Sequence, residues 1–342
     1  MGAFGQLEYK TKKLSTFVQA AVSTQSNQRF DYMSYSDPSE QVSDKLRFPG
    51  YNIKAGANYN INEKHNVFVN AGYYSRQPFF DDLFLNYRND VNEYVGNEGV
   101  FSVEAGYGFR SQYLDLDLNA YYTKWSDRQI RQGGDFDGDG NRDDVALFEN
   151  VTEVHSGVEL EFTAKPVRNL TIRGFASIGN WVYAGDVNAR LYDEDRNPIG
   201  GGDMTLYLDG VKVHTPQTSF GLLGTYKIVK GLSVDLDYRF YDRMFARIDP
   251  ESFDTPDNLG SLQLPSFGLL DGGISYKLYL QNRNSLNFRF NANNVLNNQF
   301  ISQSDTNIHS ETGEPEYLGV NMNNRVYFGN GFTWNLSIAY RF

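Results

Sequence analysis

Ten consecutive residues, Asp135-Phe136-Asp137-Gly138-Asp139-Gly140-Asn141-Arg142-Asp143-Asp144, carry the sharpest chemical signal in the sequence. With Asp135 as the first position, Asp137, Asp139 and Asp143 stand at positions 3, 5 and 9, and Gly140 stands at position 6. That spacing lets a loop converge hard oxygen ligands on a calcium ion, the glycine permitting the sharp turn between them. The expected ligands are therefore Asp135, Asp137, Asp139 and Asp143, holding a Ca2+ that orders a loop rather than one that takes part in catalysis. The bidentate glutamate usual at position 12 is replaced by Ala146, so Glu149 would have to reach in from three residues further along. A solvated acidic loop tip explains the same run equally well.

No other cluster offers comparable chemistry. Four histidines, His65, His155, His214 and His309, stand far apart, and none lies in a nucleophile motif, so no enzymatic role is expected. With no cysteine, disulfides and thiolate-bound metals are excluded, and no His/Cys cluster would hold another metal. A formal charge of -11 argues against nucleic acid, whose phosphates require a basic footprint. Aromatic and polar residues mix in stretches such as Phe79-Phe80-Asp81-Asp82-Leu83-Phe84, which suit either ligand stacking or the packing of a loop or membrane-interface girdle.

The elements that must carry these loops are strands. In 113–125, Leu114, Leu116, Leu118, Ala120 and Tyr122 alternate with Asp115, Asp117, Asn119, Tyr121 and Thr123, so one face is apolar and the other must be wet. Leu232, Val234, Leu236, Tyr238 and Phe240 alternate in the same way, as do Leu286, Phe288, Phe290 and Ala292. Thirteen such segments can be counted. Short turns, at 10–13, 62–64, 111–112, 166–168, 229–231 and 280–284, alternate with long loops at 31–46, 76–97, 127–149, 184–215, 245–263 and 297–330. A chain with 24 Tyr, 25 Phe and 32 Gly, only 40% hydrophobic, has the mixture of lipid-facing and lumen-facing residues that a transmembrane barrel needs. No run of 18 apolar residues suggests a membrane-spanning helix. The expected fold is all-β, an antiparallel up-and-down transmembrane β-barrel forming a single domain over 1–342.

Thirteen is an odd number, and a sheet edge left open in lipid is untenable, so the expectation is a partial barrel. Met1-Gly2-Ala3-Phe4-Gly5 has neither the basic nor the apolar region of a signal peptide, which fits the C-terminal part of a longer protein. The last strand, Thr333 to Phe342, places Trp334, Leu336, Ile338, Tyr340 and Phe342 on one face and ends on an aromatic residue.

That closing strand is similar to the signal by which outer-membrane barrels are handed to their assembly machinery. Further stretches resemble the C-terminal half of TonB-dependent receptors: Gly72 to Pro78, Asn97 to Tyr107, Asn119 to Tyr122, Ser156 to Glu161 and Asn291 to Asn297. The resemblance covers essentially the whole chain and implies strands 10 to 22 of a 22-stranded barrel whose N-terminal plug, with its TonB-contacting box, is missing. It further implies an integral protein of the Gram-negative outer membrane. Such a protein would take up a bulky nutrient such as a siderophore, glycan or cobalamin-like compound with energy relayed through TonB. Its partners would be outer-membrane lipid, the assembly machinery, the nutrient ligand, and TonB only through the plug. The alternatives are a self-contained passive channel of 12 to 14 strands or an outer-membrane barrel enzyme.

Overall fold

The computed structural model describes residues 1–342 apart from Leu85, Asn86, Tyr87 and Arg196. The centre of the expected 76–97 loop and one residue of the 184–215 loop therefore lie outside the described residues. One antiparallel sheet of fifteen strands dominates the structure. In chain order its strands are β1 (Gly2–Lys10), β2 (Leu14–Asn27), β3 (Leu46–Asn60), β4 (His65–Arg76), β5 (Glu98–Arg110), β6 (Leu114–Gly134), β7 (Asp144–Val167), β8 (Leu170–Tyr183), β9 (Val187–Tyr192) and β10 (Pro198–Leu206). They continue as β11 (Thr218–Val229), β12 (Leu232–Asp242), β13 (Phe267–Tyr279), β14 (Ser285–Asn293) and β15 (Thr333–Arg341). Thirteen follow one another as a meander, β1 to β8 and then β11 to β15, while the β9–β10 hairpin branches off β7. The thirteen expected strands and the all-β fold are both present.

Long and short connections alternate along the whole meander, as the sequence pattern requires. Three of the short ones are closed by side-chain caps. Thr11 Oγ1 accepts from Leu14 N at 2.9 Å, Asn62 Oδ1 accepts from Lys64 N at 2.9 Å, and Ser111 Oγ accepts from Leu114 N at 3.0 Å. At the β11–β12 turn, Gly231 has φ +88°, and a Cβ there would lie 2.4 Å from the Lys277 carbonyl oxygen, so only glycine fits.

The alternation in sequence becomes an apolar face and a polar face in space. Leu118, Tyr122, Leu222, Leu236, Ile274 and Leu336 are all exposed on one side, an arrangement that water would not tolerate and lipid requires. The opposite side carries paired charges. Arg289 on β14 stretches across β13 to Asp235 on β12, Nη2 to Oδ2 2.8 Å, and passes over Gly273, where any Cβ would lie 2.1 Å from its guanidinium. Arg239 pairs with Asp271, and Arg110 with Asp117 at 2.7 Å. The sheet's outer edges stay open: among the described residues, β1 pairs only with β2 and β15 only with β14.

The structure departs from the sequence reading at β6 and β7. The expected 127–149 loop is mostly strand, because β6 runs on to Gly134 and β7 begins at Asp144. These strands have 21 and 24 residues, against the roughly 9–11 that cross a bilayer, so the hairpin projects well beyond the membrane. Register shifts between Trp125 and Ile130, with Asp127 at φ 59° and Asn150 at φ 55°, change the phase of the alternation and hide the continuation. The expected 184–215 loop likewise contains β9 and β10, with β9 paired to the projecting part of β7 from Val145↔Tyr192 to Glu149↔Asn188. The largest dry core lies here, where Ala146, Phe148, Val151, Ala189, Leu206, Leu208 and Phe253 are buried together.

Candidate functional site

A cavity of about 520 Å³ opens at the long-loop end of the sheet, against the projecting β6–β7 hairpin. Its wall takes Arg128, Arg131 and Arg142 from that hairpin, His155 and Trp181 from β7 and β8, and His214, Arg247 and Asp305 from the loops beyond. The aromatic side is braced from behind. Trp181 stacks on His155 at 5.0 Å between ring centroids and donates its indole N–H to Tyr121 Oη at 2.8 Å. Gln217, itself buried, holds the backbone of Trp181 from both sides, donating to its carbonyl at 2.8 Å and accepting its N–H at 3.1 Å.

Four arginines face two carboxylates, Glu153 and Asp305, in this lining. Arg128 is committed to Glu153, which also accepts from His155 at 2.9 Å. Arg247 lies 3.8 Å from Asp305, beyond hydrogen-bonding range, while Asp305 accepts from Gln303 at 2.6 Å and Tyr327 at 3.0 Å. Among the described residues, Arg142 makes only a 3.5 Å contact to the Gly133 carbonyl oxygen, and it is exposed. The guanidinium groups of Arg142 and Arg247 therefore keep donors for a ligand. His214 retains contact with the cavity solvent, but the protein crowded around it and then Arg247 lower its pKa below the ordinary 6.5. Arrangements of this kind suit an anion held by the guanidinium groups, with the aromatic wall beside it to pack the ligand's apolar parts.

At the tip of the same hairpin, the acidic run folds on itself. Carboxylate oxygens of Asp135, Asp137 and Asp139 come within 4.8 Å of one another. Asp135 accepts from the N–H groups of Gly138 and Gly140 at 2.9 and 3.0 Å, and Asp139 accepts from Asn141 N at 2.7 Å. Gly138 and Gly140 have φ +79° and +92°, the conformations for which the sequence supplies glycine. Asp143 is exposed and takes no part in either converging group, and Glu149 is turned away to Arg190 at 3.2 Å. A second group, Asp137, Asp144 and Glu194, has oxygens within 4.8 Å of one another. Asp144 and Glu194 were not legible as ligands: one closes the acidic run at position 10, which the calcium-loop spacing does not use, and the other lies fifty residues on.

The arginines of the cavity were also missed, since they are scattered over 128–247 and share no motif. Of the histidines, His155 and His214 reach the cavity, whereas His65 contacts Tyr107 Oη at 2.5 Å and His309 the Gly260 carbonyl oxygen at 3.1 Å. Phe79 and Phe80 are exposed while Leu83 and Phe84 are buried; Arg76 lies over the Phe79 ring at 4.3 Å, so this stretch packs as a loop core. The Trp334, Leu336, Ile338 and Tyr340 face of β15 is more than half exposed, continuing the apolar outer surface, and Phe342 follows it at the terminus.

Comparison with known proteins agrees with this architecture. Residues 2–295 match the family described as TonB dependent receptor-like, beta-barrel. No curated protein matches the chain. Among solved structures, the ferric-catecholate import receptor Fiu from E. coli K12 is similar, with 16% identity and a TM-score of 0.58 over 96% of this chain and 42% of that one. The copper transporter OprC has 13% identity and a TM-score of 0.66, covering 98% of this chain and 46% of its own. The ferric yersiniabactin uptake receptor FyuA from Yersinia pestis has 12% identity and a TM-score of 0.60, covering 100% and 45%. The chain thus spans less than half the length of these receptors, and at such identities the likeness is one of fold. The meander, its alternating loops and the match over residues 2–295 place the chain in the TonB-dependent receptor β-barrel family.

Proposed function

We propose that this chain forms the ligand-gathering side of an outer-membrane receptor that imports a bulky anionic nutrient, a metal held by an acidic chelator being the best fit. The observation that carries this reading is the cavity at the long-loop end. Its lining has an excess of arginine although the chain as a whole carries a formal charge of -11. An acidic protein that concentrates guanidinium groups beside an aromatic wall gains affinity for anions by charge-assisted hydrogen bonds at about 1.5–3 kcal/mol each. With the apolar face in lipid, the long-loop end faces the cell exterior and the short turns the periplasm. Energy for release into the periplasm would come through TonB, acting on a plug held inside the closed barrel. A self-contained passive channel fits less well, because both edges of the sheet are unpaired.

The test is equilibrium binding to the membrane-embedded receptor, read by quenching of tryptophan fluorescence. Anionic ferric chelates should bind more tightly than neutral oligosaccharides of the same size, and the affinity should weaken as salt is raised. Arg247→Ala and Arg142→Ala should each weaken anion binding about 5- to 50-fold, corresponding to about 1–2.3 kcal/mol. Equal, salt-independent binding of neutral ligands by parent and variants would overturn the reading.

A further inference from the structure

We propose that Asp137, Asp144 and Glu194 bind a divalent cation of the calcium type, and that the ion clamps the tip of the β6–β7 hairpin to the turn between β9 and β10. This set differs from the loop spacing in the sequence: it leaves out Asp143 and brings in a ligand from a separate hairpin.

Asp144 is the centre of this site. Its side chain is only 2% exposed, at the base of the acidic loop. Oδ2 is occupied, accepting from the N–H groups of Phe136 and Asp137. Oδ1 is buried and has no hydrogen-bond partner among the described residues. No ion pair to Asp144 exists among the described residues. A buried carboxylate oxygen without a donor costs free energy that a folded chain rarely tolerates, and a cation removes that cost directly. Asp144 offers an oxygen within 4.8 Å of oxygens from Asp137 and Glu194, which is about twice a calcium–oxygen bond of roughly 2.4 Å. Three oxygens at that limit lie about 2.8 Å from a common centre, so a shift of a few tenths of an ångström in the exposed Asp137 and Glu194 side chains brings all three onto one ion.

The neighbouring Asp135, Asp137 and Asp139 cluster does not need an ion to explain it. Asp135 and Asp139 spend their oxygens on the N–H groups of the turn they organise. Their role is to hold Asp137 in place between the two groups, where it belongs to both. Across the gap, Glu194 is set by its own turn, in which Asp193 accepts from Asn197 N at 2.6 Å. All three ligand groups are carboxylates, a hard set that selects calcium over softer metals. The clamp joins two hairpins that already share the Val145↔Tyr192 pair, and so would stiffen the wall from which Arg142 reaches the cavity.

The experiment is hydrogen exchange on the membrane-embedded receptor, titrated with calcium alone and followed at 135–144 and 193–197. Calcium should slow exchange at both tips together, with half-effect at about 10⁻⁴ to 10⁻³ M. Glu194→Gln, on an exposed turn where misfolding is not a concern, should abolish protection at 135–144 as well as at its own site. Asp144→Asn should do the same, while Asp143→Asn should leave the calcium response unchanged. Two outcomes would overturn the proposal: no calcium-dependent protection in the parent, or protection that survives Glu194→Gln and disappears in Asp143→Asn.

Discussion

At the scale of single residues, His214 has its charge tuned by the cavity. The protein around it and the nearby Arg247 hold its pKa below 6.5, so the imidazole is neutral at neutral pH. Glu153 pulls the other way and Arg128 adds to the lowering, so the balance is set by the same charges that line the cavity. Because the folded pKa lies below the unfolded one, the unfolded chain takes up the proton first. Stability is therefore complete above about pH 6.5 and falls as the pH drops from there to the lowered value. A bound anion reverses the preference by favouring the imidazolium. Affinity for an anionic chelate whose own charge is constant should thus rise as the pH is lowered from neutrality through the titration of His214, by about tenfold for a coupling of about 1.4 kcal/mol. In His214→Gln the dissociation constant should lose this dependence. A slope that persists in the variant would assign it to another group.

At the level of elements, the strands were legible because lipid on one side and water on the other impose a strict period of two, and nothing else in the chain does. Leu236 and Asp235, or Phe290 and Arg289, declare their faces by type alone. The turns were legible for a similar reason, since Asn62, Ser111 and Gly231 have few substitutes in their caps. What the sequence conceals lies outside the membrane, where burial comes from neighbours distant in the chain. Phe148 is fully buried by β9, β10 and the segment around Phe253, none of which its own neighbourhood announces. The bulges near Asp127 and Asn150 broke the pattern just where the projecting hairpin begins. The facing assignment makes a direct prediction. Leu236, flanked across the sheet by Gly224 and Gly272, is 59% exposed on the outer face, and arginine there should cost about 2–4 kcal/mol near the bilayer midplane. Asn291 sits on the opposite face, bonded to Asn335 at 2.8 Å and Arg289 at 2.6 Å, and arginine there should cost about 1 kcal/mol. Urea unfolding of the receptor in liposomes would rank the two, and equal costs would refute the assignment of faces.

For the whole molecule, the decisive feature is the pair of open edges. Every residue of β1 and of β15 is exposed, and each strand of nine residues leaves roughly half of its backbone N–H and C=O groups facing outward along its free edge. At several kcal/mol for each unsatisfied group in hydrocarbon, the two edges together would cost tens of kcal/mol, more than the 5–15 kcal/mol by which folded proteins are usually stable. Closing the meander on itself is no simple remedy. With thirteen antiparallel strands the first and last run in the same direction, so β1 and β15 could meet only as a parallel pair. On the resemblance to a 22-stranded barrel, we propose that nine further strands fill the gap. In liposomes, the 342-residue chain alone should therefore give no compact, heat-modifiable band on electrophoresis, whereas addition of the segment carrying the remaining strands should produce one. A heat-modifiable band from the chain alone would mean that β1 and β15 do close on each other, and the passive channel would then become the better account of the protein.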